Sequence, residues 1–281
     1  MRCDLHVHTI HSGMFSMPLL NRVCRECYSD PLRVYTTLKS RGMDLVTVTD
    51  HDSIDAAESL RSKPDFFLSE EVTATMPDGT GIHVGVYGIH DRQHVELQAR
   101  RPDFHSLIAY LNEQRLLFSI NHAFSSLTGR RRDQDFSLFA NHFPAVETLN
   151  GHMLRAANVS AAAFAAQWRK TVVGGSDAHT VHSLGRTYTE VSGARSAKDF
   201  LHRLKLGHGR VYGESGSYLR LTRTVCEIGC LMAKDNPWTS LLCPLLLLVP
   251  FVTLGNFVRE AAFNYRWSRR AAQVGATDLV V

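Results

Sequence analysis

The sequence predicts an α/β fold in which short strands alternate with helices. The β-branched runs at residues 44–50 and 171–177 are typical of strands, whereas residues 30–42 carry the start and stop signals of a helix. Repetition of this strand–helix unit favours a mainly parallel sheet or a barrel. A chain of 281 residues is long enough for one large α/β domain, or for a domain with an appendage.

Cap and turn residues mark where several of these elements begin and end. Asp30 is the expected N-cap of the first long helix, Pro31 lies in its first turn, and Gly42 lies just past its end. Residues 76–81 read "MPDGTG", so the runs on either side are expected to pair as a hairpin. The expected strands are 3–9, 44–50, 66–75, 82–89, 117–122, 145–150, 171–177 and 186–191, and the expected helices are 30–42, 53–62, 103–114, 133–142, an Ala-rich segment and 196–207.

Composition describes an ordinary globular protein. Hydrophobic residues make up 44% of the chain and charged residues 21%, and the formal net charge is +4. Basic residues are scattered except at 129–132, and such a run is typical of a solvated loop. There is no stripe of alternating aromatic and basic residues of the kind that binds single strands. Nothing in the composition therefore supports binding to nucleic acid, which stays a possible but unsupported partner.

The six cysteines are expected to be reduced thiols. The N-terminus runs directly into a charged, His-rich strand without a signal-peptide pattern, so we expect a cytoplasmic location. Cys24 and Cys27 form a CxxC pair, but a zinc knuckle needs a second such pair, and Cys226 and Cys230 have the wrong spacing. Two free thiols in a loop or short helix are the favoured interpretation.

Metal-type residues follow strand after strand, and histidine is unusually frequent, with 15 in the chain. His6 and His8 are two residues apart on the first expected strand, so their imidazoles project from the same face. The later strands end in Asp50, His51, Glu70, Glu71, His83, His122, Asp177 and His179. In a βα barrel such strand ends converge on one face, where functional groups gather. The pattern therefore predicts a metal centre, against the alternative of separate core and surface histidines.

The motifs "DLHVHT", "VTDHDS", "EEVT", "HVGVYG", "NHAF" and "GSDAHT", in this order, resemble those of the PHP (polymerase and histidinol phosphatase) domain family. The resemblance covers residues 3 to about 215, and it includes a subgroup pattern with Asn150 and Gly151 after "VET" and "LGRTYTEV" after the last metal motif. It implies a distorted seven-stranded (β/α)7 barrel with two or three divalent metals, and it implies a phosphoesterase activity. Mixed imidazole and carboxylate ligands suit zinc, manganese or iron alike.

The resemblance also implies a role for each candidate residue. One metal is assigned to His6, His8, Glu71 and Asp177; a second, bridged through Glu71, to His83 and His122; and a third to His51 and His179. Asp50 is expected to orient an imidazole. His51 and His179 are expected to act in catalysis, with His179 able to protonate the leaving oxygen. Arg186 either holds a phosphate oxygen or forms a salt bridge at the barrel rim.

The third metal site departs from the family pattern. The chain reads "IHSGM" after the first motif, with Gly13 where an aspartate is common. His11 lies close enough in sequence to substitute, although its spacing is different. We therefore expect a third site that is weakened, rebuilt with His11, or filled only when phosphate binds.

The function implied is hydrolysis of a phosphate ester by a metal-bridged hydroxide. The substrate is expected to be a small phosphorylated molecule or a nucleotide. Two alternatives stay open: a metal-dependent hydrolase of the amidohydrolase type, and a regulatory PHP domain that binds metal without catalysis. Amidohydrolases typically add a lysine as metal bridge, where this chain offers Glu71.

Residues 216–281 are expected to form a hydrophobic, mainly helical extension beyond a PHP domain at residues 1–215. Residues 238–258 are 21 residues without a charge, which satisfies the length of a membrane span. Four arginines follow the segment, however, and a single span would place them outside, against the positive-inside tendency. A re-entrant or membrane-surface hairpin is a second interpretation, and a buried helix pair or an oligomer interface is a third. We therefore expect the protein to be cytoplasmic, with or without attachment to a membrane.

Overall fold

The computed structural model describes residues 1–15 and 20–277, with side chains described as far as residue 271. The strands are β1 (Arg2–Cys3), β2 (Ser69–Thr75), β3 (Gly81–Tyr87), β4 (Leu117–Ile120), β5 (Ala145–Asn150), β6 (Thr171–Gly175), β7 (Thr187–Val191) and β8 (Gly209–Gly213). The helices are α1 (Pro31–Ser40), α2 (Ala57–Leu60), α3 (Asp91–Arg100), α4 (Phe104–Glu113), α5 (Asp133–His142), α6 (Arg155–Gln167), α7 (Ala197–Lys205), α8 (Tyr218–Asp235) and α9 (Val249–Thr277). Short 3₁₀ segments cover Leu20–Arg22 and Pro237–Leu248.

The described strands form a mixed α/β fold with two open sheets. One sheet has the order β2-β3-β4-β5-β6, and the other has the order β1-β7-β8. In the larger sheet β4, β5 and β6 are parallel, whereas β2 and β3 pair antiparallel as the expected hairpin. The expected (β/α)7 barrel is not confirmed, because within the described residues neither sheet closes on itself.

Two extended segments without strand assignment lie beside the edge strands β6 and β2 of the larger sheet. Residues 4–8 contact the segment that follows β6 through a parallel bridge between Val7 and Ala178. Residues 45–51 lie on the other side of them, where the Thr49 amide donates to the Val7 carbonyl at 2.8 Å. A further bridge joins His51 to Glu71 at the end of the larger sheet. The sequence predicted strands for both segments, but their ladders are too short and irregular to count as strands.

Most of the other expected elements are confirmed within a few residues. Asp30 caps α1 by accepting a hydrogen bond from the Arg33 amide at 3.0 Å. The helix expected at 53–62 is shorter, since only four residues form α2. Helix α3 was not expected, because its polar sequence shows no apolar stripe and its N-cap is His90, which is not a usual capping residue.

The C-terminal extension is helical, as expected, and it is attached to the rest of the chain. Helix α9 runs along α5 and α6, and its Trp267 is buried beside Phe136 with ring centroids 5.8 Å apart. Ala271 belongs to the same core, which also contains Phe164 of α6. The division at residue 215 therefore stays a prediction, and residues 278–281 lie outside the described part of the chain.

Candidate metal centre

All eight expected metal ligands lie together at one end of the larger sheet. Their potential ligand atoms form four groups, in each of which the atoms lie within 4.8 Å of one another. The groups are His8, His51 and His179; His6, His8 and Asp177; His6, Glu71 and His122; and His51, Glu71 and His83. The groups share members, so the eight side chains make one continuous cluster.

The Glu71 carboxylate lies at the centre of this cluster and is fully buried. Five imidazole nitrogens surround its two oxygens at distances from 3.1 to 3.6 Å, from His6, His8, His51, His83 and His122. The neighbouring Glu70 points away and accepts hydrogen bonds from His94 and Gln98 of α3. Alternation along β2 therefore sends only one of the two adjacent glutamates into the cluster.

Asp177 is the second carboxylate of the cluster, and it lies directly after β6. Its Oδ1 atom lies 3.3 Å from Nε2 of His8 and 3.6 Å from Nε2 of His6. His179 follows two residues later, with Nδ1 3.5 Å from the same oxygen. The Nδ1 atom of His179 also lies 3.1 Å from the Asp177 carbonyl, which leaves Nε2 of His179 as its outward nitrogen.

The donor set and its spacing fit divalent metal ions. Two ligands about 2.1 Å from one ion at a tetrahedral angle are roughly 3.4 Å apart, which is close to the separations in the cluster. The Nδ1 atoms of His51 and His83 are buried without a hydrogen bond from any residue that the structure describes. Glu71 oxygens nevertheless lie 3.3 and 3.6 Å from these two nitrogens. This arrangement leaves lone pairs directed at a shared position, as metal ligands require.

A shell of buried hydrogen bonds orients these ligands. Glu147 of β5 is 2.8 Å from Nδ1 of His6 through one oxygen, and its other oxygen accepts from the His122 amide at 2.9 Å. Asn150 donates to Asp177 at 3.1 Å, and Asn121 donates to Glu71 at 2.8 Å. The sequence motifs contain Glu147 and Asn121 but assigned them no role. The presence of a glutamate in the apolar run "AVETLN" is the sequence signal that could have identified Glu147 as part of the site.

Asp50 takes part in this shell through an intermediate hydroxyl group. Its Oδ1 atom accepts from Oγ of Ser12 at 2.6 Å, and that Oγ lies 2.8 Å from Nδ1 of His8. Thr9 donates to the same carboxylate through its amide and its hydroxyl. Asp50 thus holds an imidazole by way of Ser12 rather than by direct contact.

The backbone at the site has an unusual conformation at two candidate metal ligands and a close approach at one glycine. His122 has φ of 30° and Asp177 has φ of 50°, both in the left-handed region that non-glycine residues seldom adopt. Such strain is typical of functional sites, where the surrounding structure holds it in place. A Cβ atom at Gly175 would lie 2.3 Å from the His6 amide nitrogen, so glycine allows β6 to approach the first motif.

Burial and neighbouring charge shift the pKa values of the cluster in opposite directions. Burial lowers the pKa of His83 to about 3, and burial together with nearby imidazoles lowers the pKa of His8 well below its ordinary value. Burial also acts on His6, but the carboxylates of Glu71 and Asp177 outweigh it and raise the pKa of His6 well above its ordinary value. Neutral His8 and His83 offer lone pairs to a metal, whereas metal binding at His6 must displace a proton.

The remaining predicted residues have other contacts. Arg186 donates to the His182 carbonyl at 3.0 Å and lies 3.6 Å from a Glu214 carboxylate oxygen, and its role towards a phosphate oxygen stays a prediction. His11 belongs to none of the potential ligand groups among the described residues. Glu26, which sequence reasoning missed, has a carboxylate oxygen 3.5 Å from Nε2 of His51. The cysteines of the CxxC pair are free, as expected.

Comparison with known proteins gives one family match and several similar folds. The family model PHP_C, described as PHP-associated, matches residues 155–208. No curated protein matches the chain.

Three solved structures are similar to this fold. PsfC from Pseudomonas syringae has a TM-score of 0.55 and 18% identity, over 83% of this chain and 98% of that one. The lesion-specific endonuclease PfuEndoQ from Pyrococcus furiosus has a TM-score of 0.51 and 18% identity, over 75% of this chain and 58% of that one. An amidohydrolase from Chromobacterium violaceum has a TM-score of 0.49 and 13% identity, over 72% of this chain and 96% of that one. The PHP-associated match includes the motif "GSDAHT", and it supports the resemblance to the PHP domain family that the six ordered motifs indicate.

Proposed function

We propose that the protein is a metal-dependent phosphoesterase. The observation that carries the proposal is the arrangement of eight metal-type side chains around the buried Glu71 carboxylate. The ligands are proposed to be His6, His8, His51, Glu71, His83, His122, Asp177 and His179. Divalent ions bound there would supply an activated water and neutralise charge on the phosphoryl oxygens. Zinc, manganese and iron all suit this mixture of imidazole and carboxylate.

The protein's own residues position those ions and manage the protons. Glu71 is proposed to hold two of them, because its two oxygens contact different sets of imidazoles. Glu147 and Asp50 fix the rings of His6 and His8, which keeps their ligand nitrogens directed inward. His179 is the most exposed histidine of the cluster, and as the alternative to holding a third ion it is proposed to donate a proton to the leaving oxygen.

A phosphate ester is favoured over an amide or lactone by the group at the centre of the cluster. The central bridging position is held by a glutamate carboxylate, whereas amidohydrolase sites typically use a lysine there. The substrate is proposed to be a small phosphorylated molecule or a nucleotide. PfuEndoQ is an endonuclease by its name, which keeps a phosphodiester in nucleic acid as a second substrate class to be tested.

The test is hydrolysis of simple esters by metal-loaded protein. We expect Mn²⁺-dependent hydrolysis of 4-nitrophenyl phosphate or bis(4-nitrophenyl) phosphate, loss of activity with a chelator, and recovery when Mn²⁺ is restored. An aryl amide and a lactone serve as controls and should stay intact. Cleavage of the amide or lactone alone would replace the proposal with the amidohydrolase alternative. A fully loaded protein that cleaves none of these, nor a single-stranded oligonucleotide, would favour the regulatory alternative.

A further inference from the structure

Glu26 stands beside the part of the cluster that the sequence predicted to be incomplete. Its carboxylate oxygen Oε2 lies 3.5 Å from Nε2 of His51, which is the spacing found between the other ligand pairs. His51, His8 and His179 form one of the four potential ligand groups, and that group contains no carboxylate of its own. Three neutral imidazoles can bind a divalent ion, but they bring no negative charge to offset the charge of the ion. A carboxylate at this position would correct the deficit.

The backbone explains how Glu26 arrives there. The Glu26 amide donates to the Gly13 carbonyl at 3.2 Å, and the Phe15 amide donates to the Cys24 carbonyl at 2.9 Å. An antiparallel bridge between Met14 and Arg25 lies between these two hydrogen bonds. Residues 24–26 are thus paired with residues 13–15, directly alongside the position where the expected aspartate is missing.

We propose that Glu26 is the acidic ligand of a third divalent ion, together with His51 and His179. The carboxylate comes from the paired segment and replaces the one absent at Gly13. The inference rests on the proposed function in assuming that the cluster binds divalent ions. It assigns no role to His11, whose amide bonds Oγ1 of Thr9.

The test counts bound ions rather than turnover. Purified protein is titrated with Mn²⁺, and the ions are counted by native mass spectrometry and by the electron paramagnetic resonance signal of free Mn²⁺. We expect three ions on the parent protein and two on Glu26→Gln, with third-ion affinity reduced at least about tenfold. His11→Ala and the exposed-helix control Glu58→Gln should keep all three. Melting curves of the metal-free proteins check that each variant is folded.

The outcomes separate this inference from the proposed function. Three ions on a folded Glu26→Gln, or loss of the third ion from His11→Ala instead, would overturn the role of Glu26 even if phosphatase activity is present. Loss of one ion from Glu26→Gln would support it even if no phosphate ester is cleaved.

A second surface carries an independent inference: the uncharged segment at residues 238–258. Half of the exposed large apolar side chains in the described chain lie within it. They are Trp238, Leu241, Leu245, Leu247, Leu248, Phe251, Val252, Leu254 and Val258. Pro237–Ala271 is the one stretch of the described chain that is long and apolar enough to cross a membrane, by length and composition alone. An apolar surface of this kind marks an interaction site.

Both ends of the segment are attached to the body of the protein. Before it, the Asn236 side chain donates to the Val23 carbonyl at 3.1 Å. After it, Glu260 accepts from the Ser126 amide at 3.1 Å, and Asn264 donates to Ser160 at 3.0 Å. A span through a bilayer would place the two flanks on opposite sides. The segment instead runs directly into α9 and packs along α8, where the hydroxyls of Thr222 and Thr253 lie 2.7 Å apart, so it lies on the body as one arm of a pair of helices.

Charge identifies the partner. Residues 217–271 contain seven arginines and lysines against three acidic residues. The flanking Arg259, Arg266 and Arg269 are exposed. A second copy of the chain would bring these like charges together, whereas an anionic lipid surface would attract them. Trp238 stands at one end of the apolar stretch, where interfacial aromatic residues are common.

We propose that residues 238–258 dock on the surface of a membrane that contains anionic lipid, with the apolar side chains in the headgroup–acyl boundary. The arginines contact the headgroups, and the catalytic body stays on the aqueous side. Attachment by one surface segment is reversible, so salt should weaken it by screening the headgroup contacts.

The test is flotation of the full chain with vesicles. We expect co-flotation with vesicles of phosphatidylcholine mixed with phosphatidylserine, weaker co-flotation with phosphatidylcholine alone, and release by salt. The combined substitutions Leu241→Glu, Leu247→Glu and Phe251→Glu should reduce partitioning at least about tenfold. The control, Val95→Glu with Leu206→Glu, alters exposed apolar residues elsewhere and should behave like the parent.

A second readout distinguishes a protein partner from lipid. Trp238 fluorescence should be quenched by brominated lipid in the parent and the control. Absence of flotation, combined with a dimer in sedimentation that the triple variant dissociates, would overturn the lipid proposal in favour of a second copy of the chain.

Discussion

The metal cluster and the C-terminal apolar segment break the usual pattern of burial in opposite directions. Glu71 and His8 are entirely buried although both carry polar groups, whereas Leu241 is 83% exposed and Leu247 79% exposed although both are aliphatic. Buried polar groups cost free energy unless they are paired, and exposed apolar surface is unfavourable in water. We propose that each exception has a partner outside the chain. The comparison teaches that a metal would complete the first region and a lipid surface the second.

The largest loss of metal binding and turnover is expected from a substitution of Glu71, at the centre of the metal cluster. Glu71→Gln removes the charge that the imidazoles share, so metal content should fall and phosphatase turnover should drop by about 10³-fold or more. Glu70→Gln is the matched control, because Glu70 is adjacent and buried but directed at His94. Metal analysis and single-substrate kinetics check both. Equal metal content in the two variants would show that the cluster does not depend on Glu71.

Substitutions in the C-terminal half of α9 test whether packing of this helix attaches the apolar segment to the rest of the protein. Trp267 is 5% exposed and packs on Phe136, so Trp267→Ala should lower the free energy of unfolding by about 3 kcal/mol. Tyr265→Ala, two residues away and 62% exposed, should change it by less than about 0.5 kcal/mol. Urea denaturation measures both variants. Similar values for the two would mean that residues 216–281 form a separate unit, as the sequence division at residue 215 predicted.

A smaller effect is expected from the groups that orient the ligands. Glu147→Gln keeps the shape of the side chain but weakens its hold on His6, so metal affinity should fall by about 10- to 100-fold. Glu190→Gln, which changes a partly exposed partner of Arg2, is the control and should leave affinity unchanged. Calorimetric titration with Mn²⁺ gives both affinities. An unchanged affinity for Glu147→Gln would limit Glu147 to a structural role.

The smallest expected effect is the release of a proton from His6 when metal binds. Neighbouring carboxylates raise the pKa of His6 against the effect of burial, so we expect His6 of the metal-free protein to keep its proton to a higher pH than an ordinary histidine. Metal must displace it, and binding should release about one proton and strengthen as pH rises. Calorimetry in buffers of different ionisation enthalpy measures the release. Binding without proton release would show that His6 is already neutral.

Local sequence signals predicted most elements and the membership of the cluster. Asp30 and Pro31 marked the start of α1, and the HxH spacing placed His6 and His8 on one side of an extended segment. Signals of this kind depend on a few neighbouring residues, so one sequence is sufficient to detect them. Helix α3 was missed because its cap and its surface gave no such signal.

Long-range pairing is what the sequence could not supply. Two open sheets stand where a closed barrel was expected, since the ladders beside residues 4–8 and 45–51 depend on contacts between distant segments. Glu26 reaches His51 only because residues 24–26 pair with residues 13–15, and no spacing rule predicts that pairing. Neither Glu26 nor His11, which is nearer in sequence, belongs to the ligand groups of the described chain, but the Glu26 carboxylate contacts His51.

The sequence by itself determined the chemistry of this protein: which residue types are present, their order, and their alternation along strands. An imidazole two residues from another shares its side of an extended chain whatever the rest of the fold does. The tertiary structure decided which of those groups meet, through the strand pairing that brings Glu71 between five imidazoles and the helix packing that holds both ends of residues 238–258 on one side. The physical reason is range, because backbone geometry acts over a few residues while burial and electrostatics act between any groups that the fold brings into contact.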